Sequence, residues 1–359
     1  MLSSTSRVGR ILARFGIPLP KGSGRSVPQS GTLNRLETPV PRADLKQLSI
    51  AELSRELLAR LSAGASYEGE TDLVLASQLH HTLDTALDVH SNRFSARRHY
   101  DLIRPVLATV SRSRLPGATV VDLGCGSLNP FAITFLFLML GARRAYAIDL
   151  DPVQDMGRAV KALATCASWF LLDSKRILDP DQIAPEEVLE NLRGFDLPKL
   201  AAGDPSGMSS DRLVYRNESV FDLSLRDGEA DLVFSVSLLE HLNRIEDALE
   251  SLRRVTRVGG YGHHLIDFAD HRIYPGEVSS PFEFLKIQTQ DELVYGSNRL
   301  RCSQFCELFE QHGFSVERVE TARAADLSSE EQTQLVEPYR SMPRQELNMV
   351  CARVFVRRR

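Results

Sequence analysis

Two stretches of this chain hold residues whose types and spacing suit chemistry. The first is Val120-Val-Asp-Leu-Gly-Cys-Gly-Ser-Leu-Asn-Pro130. An apolar run containing Asp122 passes into a turn where Gly124 and Gly126 lack a Cβ. The backbone can bend sharply there, and a ligand can lie against it. Asn129 is a good N-cap, and Pro130 suits the first position of the helix that follows. Further on, Ala147-Ile-Asp149-Leu150-Asp151-Pro152 ends a second apolar run in an acid. Asp149 can accept both hydroxyls of an adenosine ribose. The second stretch carries His241 in Leu238-Leu-Glu-His-Leu242, then Asp267 and His271 in His264-Leu-Ile-Asp-Phe-Ala-Asp-His271. A histidine and a carboxylate beside a bound acceptor are the groups that remove a proton.

Each of these residues also has a plainer role. Asp149 can cap the next helix, although Asp151 before Pro152 suits that task better. His241 can simply bound a cleft, and Asp267 can cap the loop after its strand. His263 and His264 fall on opposite faces of one buried strand, so both cannot face a substrate; they read as satisfied core residues. His80, His81, Asp84 and His90 suggest a second site, or a solvated helix face. Cys302 and Cys306 share a helix face, which is an ordinary packing arrangement.

The elements that must position these groups follow from periodicity. Ser49-Ile-Ala-Glu52 is a capping box. Leu53, Leu57, Leu58 and Leu61 follow at helical spacing, a second amphipathic stretch covers Thr71 to Val89, and a third helix lies around Arg97 to Val110. From Thr119, strands and helices alternate, which implies a mostly parallel sheet covered on both faces. Strands are predicted at Thr119–Leu123, Ala145–Leu150, Leu213–Arg216, Asp231–Val236, Tyr261–Phe268, Val316–Val319 and Met349–Val356. Between the first two lies a helix, Phe131 to Leu140, apolar almost all round and therefore buried, and closed by Gly141. The expected fold is a Rossmann-like, doubly wound α/β sheet of seven strands, mostly parallel with the last antiparallel, behind an N-terminal helical extension. The predicted organisation is a flexible basic tail (1–48), a helical extension (49–115) and a main domain (116–359). Insertions interrupt the main domain at about 177–212 and 270–299. The second insertion is expected to close over the cleft, with Phe282, Phe284 and Tyr295 excluding water and Gly276 and Gly296 as bending points.

The bulk composition restricts partners. A formal net charge of -4 gives no global attraction to polyanions, so no nucleic acid is expected. Five scattered cysteines do not make a disulfide framework. The longest apolar run, Phe131 to Leu140, is far short of the roughly 20 residues that a membrane-spanning helix needs. A cytoplasmic protein is expected. Met1 to Leu36 is basic and free of acids, which suits a disordered tail, a weak membrane-surface helix or a targeting segment.

Together these motifs resemble those of class I S-adenosylmethionine (SAM)-dependent methyltransferases. The resemblance runs from Val120-Val-Asp-Leu-Gly-Cys-Gly126 and Ala147-Ile-Asp-Leu-Asp-Pro152 through Asp227-Gly-Glu-Ala-Asp231, Ser235-Val-Ser-Leu-Leu-Glu-His241 and Arg253 to Gly260. It implies that Gly124 and Gly126 line the methionine part of SAM, and that Asp122 orders the turn and helps place the amino group. Asp149 with Leu150 would hold the ribose, Ser219 and Val220 would contact the adenine, and Ser235 would border the site. The family's usual adenine-binding Asp is replaced by Ser219, with Asp222 as a substitute. Arg93, Arg97 and Arg98 can reach the SAM carboxylate or simply form a charged face. A nicotinamide-binding turn would need a third glycine where Asn129 stands. The segments from His264 to His271, Ser280 to Leu285 and Asn298 to Arg301 are similar to a bacterial methyltransferase group associated with saccharide and cell-surface glycan pathways.

The expected activity is methyl transfer to an oxygen or nitrogen of a small molecule, a saccharide or related metabolite. His271 is the first candidate base, with Asp267 and His241 beside it. The alternative is a SAM-binding partner protein without turnover. No metal is expected, because the fourth strand ends in Ser235-Val-Ser237 and offers no carboxylate cage for Mg²⁺.

Overall fold

A computed structural model describes residues 96–110, 115–164, 166 and 185–359. The tail, the first two helices of the predicted extension, the histidines at 80, 81 and 90, and Arg93 lie outside the described residues. So do the side chains of Arg97 and Arg98.

Alternation builds the sheet. In β1 (Thr119–Leu123) Val120 joins one core cluster and Val121 and Leu123 the other. In β2 (Arg144–Asp149) Ala145 and Ala147 take the first side, Tyr146 and Ile148 the second. Side chains that alternate between two apolar layers belong to a sheet buried on both faces. Five strands run parallel: β1, β2, β3 (Leu213–Asn217), β4 (Ala230–Val236) and β5 (Thr256–Asp267). β7 (Met349–Arg358) lies antiparallel between β5 and β6 (Phe314–Ala324), completing a seven-stranded sheet in the order β3-β2-β1-β4-β5-β7-β6. The strand order reverses direction between β1 and β4. In open α/β sheets ligands bind outside the carboxyl ends of the strands at such a switch.

The helix Ala132–Met139 is buried along its whole length, as its all-round apolarity requires. Its N-cap is Phe131, without a side-chain cap, rather than Asn129. Gly141 (φ +100°) ends it: the Gly141 N–H donates to the Leu138 carbonyl and the Ala142 N–H to the Phe137 carbonyl, a Schellman closure. Ala96–Thr109 packs on the same side, while Ile245–Val255 and Cys302–Gln311 cover the other. Asp155, rather than Asp151, accepts the Arg158 N–H at the start of the helical run after β2, at 2.9 Å.

Four expectations change in detail. β5 begins at Thr256, and the Gly259-Gly260 pair lies inside it, at the register shift between the pairs Ala230–Thr256 and Leu232–Tyr261. β6 is far longer than Val316–Val319, because an edge strand with one solvated face has little apolar pattern to betray it. The first insertion contributes helices Pro185–Leu192 and Leu197–Ala202, and it buries Leu192, Phe195 and Leu200 in the first core. In the second insertion Phe282 and Phe284 do not face a cleft. They are buried with Leu327, Leu335, Tyr339 and Leu347 in a third cluster, so the segment is anchored rather than a free lid. Among the described residues, no helix is long and apolar enough to cross a membrane.

Candidate active site

The glycine turn is tied to the end of β2. The Asp149 carboxylate accepts the Gly126 N–H at 2.7 Å through Oδ2 and the Asp151 N–H at 2.9 Å through Oδ1. The Ile148 carbonyl accepts the Gly124 N–H at 2.8 Å. Gly124 and Gly126 have φ of +71° and +80°, a region that L side chains enter at a cost. A Cβ on Gly126 would meet nothing within 4 Å, whereas one on Gly124 would press on Leu238 at 3.2 Å. The face in front of Gly126 is therefore open. Asp122 is buried behind the turn. Burial, with the nearby Asp149 charge, raises its pKa well above the usual carboxylate range. Leu150 is 70% exposed beside it, and the Glu218 N–H donates to the Asp149 carbonyl, bringing Ser219 and Val220 alongside. The Ser219 hydroxyl accepts the Phe221 N–H at 3.3 Å. Asp222 is exposed. Ser235 departs from expectation: it is fully buried, with its hydroxyl bonded to His264 Nδ1 at 2.8 Å, and its side chain is not exposed to the cleft.

The three acid–base candidates converge beyond the ends of β4 and β5. The rings of His241 and His271 meet edge to face with centroids 4.8 Å apart. His271 Nε2 lies 3.8 Å from Asp267 Oδ2. Asp267 is heavily engaged: Arg323 donates to both its oxygens at 2.9 and 3.1 Å, the Tyr274 hydroxyl donates to Oδ2, and the Ala269 N–H donates to Oδ1. A carboxylate held this way is fixed in place and can orient its neighbours. His271 is half-buried, and burial lowers its pKa against the opposing pull of Asp267. Burial thus favours the neutral imidazole, the form a base requires.

Glu240 also belongs here and had no assigned role in the sequence reading. It is 1% exposed. Burial, reinforced by the Asp267 charge, pushes its pKa up to about 8. Asn298 fixes this corner through its side-chain N–H groups, which donate to the carbonyls of Leu239 and Leu242 at 2.9 and 3.0 Å. Position next to His241 was the only local sign of Glu240; Tyr274 and Arg323 carried none.

His263 and His264 are core residues, as expected, but neither is fully satisfied: His264 Nε2 also lacks a hydrogen-bond partner. His264 bonds Ser235 and stacks on Phe309. His263 lies between Phe234 and Phe355, with neither ring nitrogen hydrogen-bonded. Burial lowers both pKa values, that of His264 to about 3.

Residues 188–263, which span β3, β4 and the first part of β5, match the methyltransferase-domain family. No curated protein matches the chain. Among solved structures, it is similar to a SAM-dependent methyltransferase from Mesorhizobium loti, at 18% identity and a TM-score of 0.38, over 72% of this chain and 100% of that one. A SAM-dependent methyltransferase from Aquifex aeolicus is 14% identical over 73% of this chain and 93% of its own, with a TM-score of 0.36. A geranyl diphosphate methyltransferase in complex with SAM is 14% identical over 82% and 93%, with a TM-score of 0.39.

Asp149 has a measurable task. Asp149→Ala removes an ionised acceptor and also frees the Gly126 N–H. SAM affinity should fall by about 1–3 kcal/mol, the cost of losing a hydrogen-bonded charged partner. Calorimetric titration of SAM into both proteins checks this, and equal affinities would remove Asp149 from the site.

Proposed function

We propose that the protein transfers the SAM methyl group to an oxygen, or a nitrogen, of a small-molecule acceptor, a saccharide or related metabolite. In this reading SAM lies across the turn at Gly124 and Gly126, its ribose on Asp149 beside Leu150 and its adenine against Ser219 and Val220. The acceptor lies at the ends of β4 and β5, beside His241, Asp267 and His271. The observation that carries the reading is the sharing of one sheet edge by these two halves, at the switch point between β1 and β4.

Methyl transfer is an in-line displacement, in which holding the reactants in line can contribute roughly 7–11 kcal/mol. His271 takes the acceptor proton, while Asp267, fixed by Arg323 and Tyr274, lies 3.8 Å from its Nε2 and biases the ring electrostatically. The saccharide class follows from the sequence resemblance alone. A cytoplasmic site of action fits a diffusible donor and acceptor.

Two measurements test this function. Calorimetry should give binding of SAM and of its demethylated product, and none of NAD. Incubation with methyl-labelled SAM and a panel of sugars, nucleotide sugars and hydroxylated metabolites should move label to at least one acceptor. Tight NAD binding with no response to SAM would overturn the proposal.

A further inference from the structure

Glu240, His241 and His271 each have one ligand-type atom within 4.8 Å of those of the other two. Three details concern the lone pairs on these atoms. Glu240 Oε1 accepts the Asp267 N–H at 3.2 Å, while Oε2 is buried without a hydrogen-bond partner. His271 Nε2 is likewise buried and unpartnered. His241 Nδ1 lies 2.6 Å from the Gly296 carbonyl oxygen. A carbonyl can only accept, so Nδ1 carries the proton and Nε2 the lone pair. Backbone carbonyls set the tautomer of metal-ligating histidines in this same way. The nearby guanidinium of Arg323 is committed to Asp267, at 2.9 and 3.1 Å.

We propose that Glu240, His241 and His271 bind one divalent transition-metal cation of the zinc class, with a coordination position left open to the acceptor oxygen. Two imidazoles and one carboxylate select such ions over Mg²⁺ or Ca²⁺, which take oxygen ligands. Three protein ligands and an open fourth position are the form of a catalytic zinc site. Ligands of one zinc ion at about 2.0–2.2 Å stand roughly 3.4 Å apart, so the widest pair closes by up to about 1.4 Å from 4.8 Å on binding. From sequence no metal is expected, because the strand end itself lacks carboxylates; the ligands come from just beyond β4 and from the segment after β5.

This inference rests on the methyltransferase reading and deepens it. The metal-bound acceptor hydroxyl loses its proton to water, since a cation lowers the pKa of a bound hydroxyl. An oxygen lone pair forms the O–CH₃ bond, the CH₃–S bond breaks, and its electron pair stays on sulfur, leaving a neutral thioether. His271 then serves as ligand, and the cation takes over the activation otherwise assigned to the imidazole.

The test uses the full chain, stripped with chelator and titrated with Zn²⁺ by calorimetry and with Co²⁺ by visible absorption. One equivalent should bind per chain, with Co²⁺ giving the d–d bands of a low-coordinate site. His271→Ala and Glu240→Gln should each weaken uptake at least 100-fold while SAM affinity is retained. His271→Ala, which alters a partly exposed side chain, decides the matter if Glu240→Gln does not fold. Absence of Zn²⁺ and Co²⁺ uptake, or uptake unchanged in His271→Ala, overturns the proposal. Metal binding without SAM binding would leave this site standing and remove the methyltransferase reading. SAM binding and methyl transfer with no metal uptake would do the reverse.

Discussion

Gly126→Leu yields a folded protein in which SAM binding falls at least 100-fold, a loss of about 2.8 kcal/mol or more. The glycine sits at φ +80° with nothing within 4 Å of where a Cβ would stand. The added side chain therefore clashes with no protein atom near its base, and its conformational cost is the ordinary roughly 1–2 kcal/mol of a left-handed L residue. That is tolerable against a typical stability of about 5–15 kcal/mol. The space it fills is the space in front of the turn, where the methionine part of SAM is proposed to lie. Circular dichroism and thermal melting report the fold, and calorimetry reports the ligand. Gly126→Ala is the graded control, with a smaller affinity loss at a similar conformational cost. A Gly126→Leu protein that binds SAM normally would place the donor elsewhere on the sheet edge.

His271→Ala leaves SAM affinity nearly unchanged and reduces methyl transfer by about 10²–10⁴-fold, the usual range for a lost acid–base group. The effect separates cleanly because His271 stands beyond β5, beside His241 and Asp267, whereas the proposed donor contacts lie on the turns after β1, β2 and β3. Single-turnover transfer from labelled SAM gives the rate, and titration gives the affinity. Asp267→Asn is the informative partner. Its carboxylate is held by Arg323, Tyr274 and the Ala269 N–H, so its loss should disturb ring placement and lower the rate. Full activity in His271→Ala, with loss in Asp267→Asn, would move the base to Asp267.

What the sequence by itself determined is local. A strand buried on both faces, a turn needing positive φ at two glycines and a second strand ending in an acid are written in contiguous residues. The positions of β1, the helix Ala132–Met139 and Asp149 were accordingly legible. So was the convergence of His241, Asp267 and His271, because parallel strands must bring their carboxyl ends to one edge. Only the tertiary structure decided the rest. Glu240 becomes a buried carboxylate without a partner on Oε2 because β5, Asn298 and the neighbouring segment close around it. Arg323 reaches Asp267 from β6, an edge strand whose mixed pattern hid most of its length. Ser235 faces His264 rather than the cleft because the register pairs those two residues across β4 and β5. Phe282 and Phe284, aromatic and next to a loop, are drawn into a third core by Leu327, Leu335 and Leu347. Each of these outcomes depends on partners far away in the chain. Burial and hydrogen-bond satisfaction belong to the packed assembly rather than to any window of sequence.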